Sequence, residues 1–391
     1  MGLAIPQVIT PSKASGAQVI DGSLKFDPNS NHHLKRTPSS AGNRKTWTWS
    51  SWVKLNSISY QNLFANLVGN NNGLYVYWNT DGKLYINDYQ LSGGANLSTT
   101  AVFRDLSSFY HFVIVFDTPQ ATASNRVKLY VNGSQLTLSS TFPNQNLDGQ
   151  WNNTQTQFIG RQTDNVDVYD LDGSLSNIYF IDGQALTADS FGFTDPLTGT
   201  WRPKKYTGTY GPLVDQSQTW SASTTSSTGS FYNSDYVAAK AFRGVASYAV
   251  GNYASTSSGT DTSITVTFSS AYSYSSKIEV YSSTTAHEVS INGGSFASIG
   301  TTQGYVTVAT GSGSLSTFTI KRPGSGSAIF TGLKIDGKLL VDSGISVADD
   351  SFHLPFDGNS PIGQDKSGNG NDFTPVNFGG SVELDKATGA L

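Results

Sequence analysis

Cysteine is absent from the 391 residues. That excludes disulfides, thiolate metal sites and cysteine nucleophiles, so stability is expected to come from burial and subunit contacts. Charge is scarce. Asp, Glu, Lys and Arg make up 13% of the chain, where a globular domain usually carries about 25%. The net charge of −4 excludes a broad attraction to nucleic acid or to anionic membranes. No apolar run reaches the 18 residues of a membrane-spanning helix, so membrane insertion is not expected. The opening "MGLAIPQVITPSKASGAQ" lacks a basic start followed by an apolar core, as a secretion signal would have. It also lacks the Ser or Thr that myristoylation needs at position 6. The expectation is synthesis in a cytoplasm, which leaves open that the protein works outside the cell.

Glutamate is the next shortage. It occurs three times, at Glu279, Glu288 and Glu383. Glycoside hydrolysis needs a pair of carboxylic acids, one as nucleophile or base and one as acid, and no glutamate pair is available before residue 279. An aspartate pair is the remaining route. The histidines, His32, His33, His111, His287 and His353, sit in no nucleophile-elbow context, and there is no GxSxG, P-loop, dinucleotide fingerprint or HExxH. His111 opens an apolar strand and reads as a satisfied core or rim residue. His32 and His33 read as a surface loop, since neighbours on a strand point to opposite faces. No catalytic residue, cofactor or metal site is assigned, and the chain is not expected to be an enzyme.

What the chain does have is aromatics, 12%, and strand signals. Asn-Gly and Asp-Gly pairs flanked by alternating apolar residues recur in "YWNTDGKLYI" (77–86), "KLYVNGSQL" (128–136), "IYFIDGQAL" (178–186), "VSINGGSF" (289–296) and "LKIDGKLLV" (333–341). They supply the positive φ of tight hairpins. No stretch holds a 3.6-residue apolar period over three turns; "TADSFGF" (187–193) has room for one short helical turn. The fold class is therefore all-β.

The chain divides by pattern. Residues 1–18, with Pro6 and Pro11, read as an extended arm. Residues 19–195 carry ten or more short strands, including 46–55, 62–68, 73–79, 110–117 and 173–182, spaced as in a jelly-roll sandwich of two antiparallel sheets. Residues 196–212 are rich in Gly, Pro and Thr and read as a linker, with "WRPKKYTGTY" (201–210) suited to docking. A second, smaller β-sandwich spans 213–344, and 345–391 is too short to stand alone.

Three features invite a binding role. In "GLYVYWN" (73–79), Tyr75 and Tyr77 share one face of a strand and Val76 and Trp78 the other. One face is core, and the second is a glycan platform, a subunit contact or more packing. Acidic clusters at "TDNVDVYDLDG" (163–173), with Asp167, Asp170 and Asp172, and at "DKSGNGND" (365–372), with Asp365, Asn369 and Asp372, fit either a calcium site or turns capped by their own side chains. Neither has the closing glutamate of an EF-hand, and turn formation needs fewer assumptions.

The string "SLKFD…TWTWSSWVKL", then "LYVNG", then "FIGR…DGSLSNIYFIDGQALTADSFG" resembles the laminin-G-like, concanavalin A-like jelly rolls of marine bacteriophage virion proteins, above all tail-fibre and appendage proteins of cyanophages and pelagiphages. The resemblance covers about 20–195. That family continues with "WRPKKYTGTYG"-type and "DxSGNGNxxTPxNF"-type segments, which here lie at 201–211 and within 351–378. Their separation implies that 213–344 is an insertion in one module, and that 345–391 returns to it and leads towards further fibre. The resemblance implies a virion structural protein, a tail fibre or host-recognition appendage in the first place and a capsid decoration or spike in the second. The N-terminal arm would contact the particle. Expected partners are further copies of the chain as a homotrimer, tail-adaptor, portal-proximal or capsid proteins, and host surface glycan.

Overall fold

A computed structural model describes residue 18, residues 20–66, 72–90, 92–164 and 169–378, and the backbone of Leu384–Asp385. The expected arm 1–18 lies outside the described residues except for Gln18. No α-helix occurs among the described residues; helical backbone is limited to short 3-10 turns such as Ala188–Ser190. Contacts divide the chain into two units, 1–211 together with 348–391, and 212–347.

The first unit is a sandwich of two eight-stranded sheets. One sheet runs Ser134–Leu136, Val127–Val131, Tyr110–Asp117, Thr46–Leu55, Gly173–Asp182, Ser23–Phe26, Leu384–Asp385, with Phe352–Leu354 also paired to Gly173–Asp182. The other runs Leu138–Thr141, Ala95–Thr99, Leu84–Tyr89, Gly73–Trp78, Gln61–Ala65, Gln157–Ile159, His33–Arg36, Thr374–Val376. The strand period decides what lies between them. Trp47, Trp49, Val53 and Leu55 of one sheet meet Leu63, Phe64, Val76 and Trp78 of the other, all fully buried. Trp49 stacks on Phe64 with centroids 4.1 Å apart, and Trp47 on Phe116 at 5.1 Å. The residues from 348 onward complete this sandwich. Phe352 and Leu354 enter its core, and Thr374–Val376 closes one sheet edge against His33–Arg36.

The first sheet is also covered on its outer side. Val113, Val115, Tyr179 and Ile181 pack there beneath Ala188, Phe191 and Tyr206. The segment from 196 was expected as a linker; Trp201–Pro203 instead pairs with Gly192–Thr194, and Tyr206 is buried. Its aromatic residues have an apolar sheet face to cover, which composition alone did not display.

The second unit has two five-stranded sheets. One is ordered Val214–Asp215, Lys338–Leu340, Leu333–Ile335, Lys277–Ser282, Gly304–Thr310, and the other Thr224–Ser226, Ser263–Tyr274, Gly313–Lys321, Glu288–Ile291, Ala297–Ser298. Ile264, Val266, Phe318 and Ile320 face Ile278, Val280, Leu333 and Ile335 in one core. Of the Asn-Gly and Asp-Gly hairpins, Asn132–Gly133, Asn292–Gly293 and Asp336–Gly337 have positive φ at both residues, and Asp81–Gly82 and Asp182–Gly183 only at the glycine.

Candidate functional site

The outer face of the first unit's second sheet carries a ladder of tyrosines. Leu74, Val76 and Trp78 fill the core, so Tyr75 and Tyr77 point outward, as alternation requires. On the neighbouring strand Leu84 and Ile86 face in, which turns Tyr85, Asn87 and Tyr89 out. Register then sets the neighbours. Tyr77 lies opposite Tyr85 on one side and Asn62 on the other, Tyr75 lies opposite Asn87, and Tyr89 lies opposite Gly73. Directly opposed residues share a face and touch.

The rings form a continuous path. Tyr169 and Tyr60 are 4.1 Å apart by centroid, Tyr60 and Tyr77 4.5 Å, Tyr77 and Tyr85 5.1 Å. A branch continues from Tyr77 to Tyr75 at 5.2 Å and to Tyr89 at 5.3 Å. Polar groups are set between them. Asn87 Nδ2 donates to the Tyr77 hydroxyl at 3.2 Å. Tyr85 donates to Asp81 at 2.9 Å. Asn62 is anchored by its Nδ2 to the Tyr169 carbonyl at 3.1 Å. The side-chain oxygens of Asn62 and Asn87 are buried, out of reach of a ligand on this face, and accept no hydrogen bond. Burial raises the Tyr60, Tyr75 and Tyr77 phenols above the ordinary tyrosine value, so these three stay protonated at neutral pH. Tyr75 and Tyr77 were legible from alternation. Tyr60 and Tyr169 were not, because each lies in a loop and reaches the ladder only through chain folding.

The other sequence candidates are placed differently. Asp167 lies outside the described residues. Asp170 pairs with Arg161 at 3.2 Å, whereas Asp172 accepts from Asn56 Nδ2 at 3.1 Å, so these two carboxylates serve separate partners. Asp365 is buried in its own loop: it accepts from His353 N (2.9 Å), Ser367 N (2.8 Å), Ser367 Oγ (2.7 Å) and Asn371 N (2.9 Å). Asp372 accepts from Asp365 N at 2.8 Å, and Asn369 Nδ2 donates to Asp349 at 2.8 Å. Among the described residues no three His, Asp or Glu side chains gather as metal ligands.

The reading of His32–His33 as a surface loop holds for His32, which is half-buried in a loop, and needs correction for His33. His33 begins the His33–Arg36 strand and is buried, with Nδ1 2.9 Å from the Asn31 carbonyl, and His32 stacks on Phe378 at 4.5 Å. The strands that pair with His33–Arg36, Gln157–Ile159 and Thr374–Val376, are far away in sequence. His111 is a satisfied core residue: Ser50 Oγ is 2.8 Å from Nε2, Trp201 Nε1 donates to Nδ1 at 2.9 Å, and burial pushes its pKa down to about 3. Glu279 and Glu288 pair with Lys277 and Lys321 at 2.8 and 3.0 Å.

Residues 28–190 match the family model described as the concanavalin A-like lectin/glucanases superfamily, so the jelly roll of the first unit is a domain of that superfamily. No curated protein matches the sequence. Among solved structures, a native heptameric SAP-like pentraxin from Limulus polyphemus is 19% identical, with 44% of this chain and 79% of that chain covered and a TM-score of 0.33. A putative carbohydrate binding protein from Bacteroides ovatus is 17% identical over 44% of this chain and 46% of its own, with a TM-score of 0.35. Domains LG4-5 of the mouse laminin alpha1 chain are 12% identical over 95% and 89%, with a TM-score of 0.33.

Proposed function

We propose that the first unit is a non-catalytic glycan-binding module and that the tyrosine ladder is its binding face. The observation that carries this reading is the run of rings on the outer face, from the exposed Tyr169 through Tyr60 and the buried Tyr77 to Tyr85. An exposed ring such as Tyr169 offers a face to the C–H side of a pyranose, and phenol hydroxyls along the run can bond its hydroxyls. The lectins in the superfamily's name agree with this use of the fold; the want of a glutamate before residue 279 weighs against its glucanases. The test is binding of the whole chain to a panel of bacterial surface polysaccharides and lipopolysaccharides. Tyr75→Ala should weaken binding about tenfold, roughly 1.4 kcal/mol, with the melting temperature unchanged. Absence of binding to any of them, or binding indifferent to Tyr75→Ala, overturns the reading, and release of reducing sugar would restore catalysis.

The setting we propose is a bacteriophage virion, with the chain as part of a tail fibre or host-recognition appendage. The motif resemblance supports it, and a capsid decoration or spike is its second form. An adhesin on such a fibre would work as a homotrimer. A cryo-EM map of the parent particle locating the chain elsewhere than on an appendage would displace the fibre, and a monomer by light scattering at micromolar concentration would count against the trimer.

A further inference from the structure

The other face of the same sandwich holds a cavity that the ladder does not use. Its origin is a β-bulge. Leu175 and Ile178 both face the core, so Ser176 and Asn177 fall together on the outer side, and the register against Thr46–Leu55 shifts between Ser176 and Tyr179. Asn177 has φ 52°, the left-handed region that asparagine enters more readily than most residues. Bulges re-aim side chains in this way. The strand's neighbour also changes at that point: Ser23–Phe26 pairs before the bulge and Phe352–Leu354 after it. Ser176 Oγ donates to the Gly22 carbonyl at 2.6 Å and Asn177 N to the Pro355 carbonyl at 3.2 Å, which pins both edges of the notch.

Above the notch lies a cavity of about 480 Å³, within the size range of small-molecule sites. Tyr206 and Tyr210 line it, ring planes at 85° and centroids 5.4 Å apart. Its polar lining is oriented in advance. Asn177 Nδ2 donates to Gln18 Oε1 at 3.1 Å, which directs Asn177 Oδ1 to His353 Nε2 at 2.9 Å. His353 Nε2 therefore carries the proton, and Nδ1 is left as an acceptor. Burial holds the His353 pKa down to about 4, so the ring is neutral at pH 7. Tyr179 stacks on that ring at 4.1 Å. Lys205 and Lys366 add donors to the lining, and Asp21 and Asp357 add acceptors. The two signs balance, which favours neither a cation nor an anion. Alternating donors and acceptors beside two aromatic rings match a polyhydroxylated ring, whose hydroxyls both donate and accept.

We infer that this cavity is a second carbohydrate-binding site, for an uncharged mono- or disaccharide, on the face of the sandwich opposite the tyrosine ladder. The site stands on its own residues and does not require the ladder to bind.

The test uses the whole chain and four probes: maltose, lactose, N-acetylglucosamine and methyl α-mannoside. Binding is read by saturation-transfer NMR and calorimetry in a Tyr75→Ala/Tyr85→Ala protein, so that the ladder is disabled. At least one probe should bind saturably there. Lys205→Ala with Asp357→Asn, both away from the core, should weaken that binding roughly tenfold without moving the melting temperature. No saturable binding by any probe, or binding unchanged by the Lys205 and Asp357 substitutions, overturns the cavity site. The two readings fail separately. Binding lost on the ladder substitutions alone removes the cavity and leaves the ladder; polysaccharide binding lost only on the Lys205 and Asp357 substitutions removes the ladder and leaves the cavity.

Discussion

The two sandwiches solve the same problem with different means. The first unit contains six of the seven tryptophans, at 47, 49, 52, 78, 151 and 201; the second has only Trp220. The first also buries ionisable groups. Arg36 and Asp350 form an ion pair with both side chains nearly inaccessible. Asp88 and Asp182 are buried, with pKa values pushed up by burial to about 6 and about 7. The second unit buries His287 and Asp342 but keeps its ion pairs, Lys277–Glu279 and Lys321–Glu288, on partly exposed strands. Its core is Ile, Val, Leu and Phe with Trp220 and three alanines. Size is the physical reason. Two eight-stranded sheets with a covered outer face have more interior in which a buried ion pair can be surrounded than two five-stranded sheets do. Buried polar groups are then affordable only where many fixed dipoles surround them.

The largest test of this contrast removes a cation from each unit. Arg36→Ala leaves Asp350 buried without its partner and should cost the first unit about 3–5 kcal/mol. Lys321→Ala breaks a pair whose side chains are 23% and 30% exposed and should cost the second unit about 0–1 kcal/mol. Urea unfolding followed by tryptophan fluorescence measures the first and backbone circular dichroism the second. Equal losses would erase the contrast.

The next test is pH. The folded pKa of His353 lies below its ordinary 6.5, at about 4. The neutral ring therefore contributes its full stability above pH 6.5, and that contribution is lost as pH falls towards 4. Replacing it, as in His353→Asn, should destabilise less at pH 4.5 than at pH 7, the difference approaching about 3 kcal/mol. Asp182 has the opposite sign. Its folded pKa is raised to about 7, so its contribution is lost as pH rises from about 4 to about 7. Asp182→Asn should therefore compare better with the parent at pH 7 than at pH 4.5. Urea titrations at the two pH values read both, and parallel shifts in the two variants would show that these groups titrate as they do in the unfolded chain.

The smallest expected effect separates turn chemistry from metal binding. Asp365→Ala removes the acceptor of four hydrogen bonds and should cost the first unit about 2 kcal/mol. Its second-unit counterpart, Asp336→Ala, removes an acceptor of backbone donors from Ser275, Ser276 and Lys277 at a more exposed turn and should cost about 1 kcal/mol. Neither loss should depend on calcium. A rise of several degrees in the parent's melting temperature on adding calcium would return the Asp365 loop to consideration as a metal site.

Local pattern carried much of the fold. Alternation put Trp78 and Val76 inside and Tyr75 and Tyr77 outside, because a strand has a period of two whatever it pairs with. Asn132–Gly133 and Asp336–Gly337 turn as Asn-Gly and Asp-Gly pairs do, because their positive φ is a property of those residues. His33 was misread because its burial comes from strands over a hundred residues away. Trp201 and Tyr206 were read as linker because nothing local shows the sheet face they cover.

The sequence by itself determined the class of structure, the facing of each strong strand and the poverty of acid–base groups, since these depend on composition and on neighbours along the chain. Tertiary structure decided everything that needs residues distant in sequence to meet. It gathered Tyr60, Tyr77, Tyr85 and Tyr169 into one ladder, and it brought Gln18, Asn177, Tyr206 and His353 around one cavity. Strand pairing and a single bulge set those meetings, and the free energy that fixes them is burial summed over the whole core, which no short stretch of sequence contains.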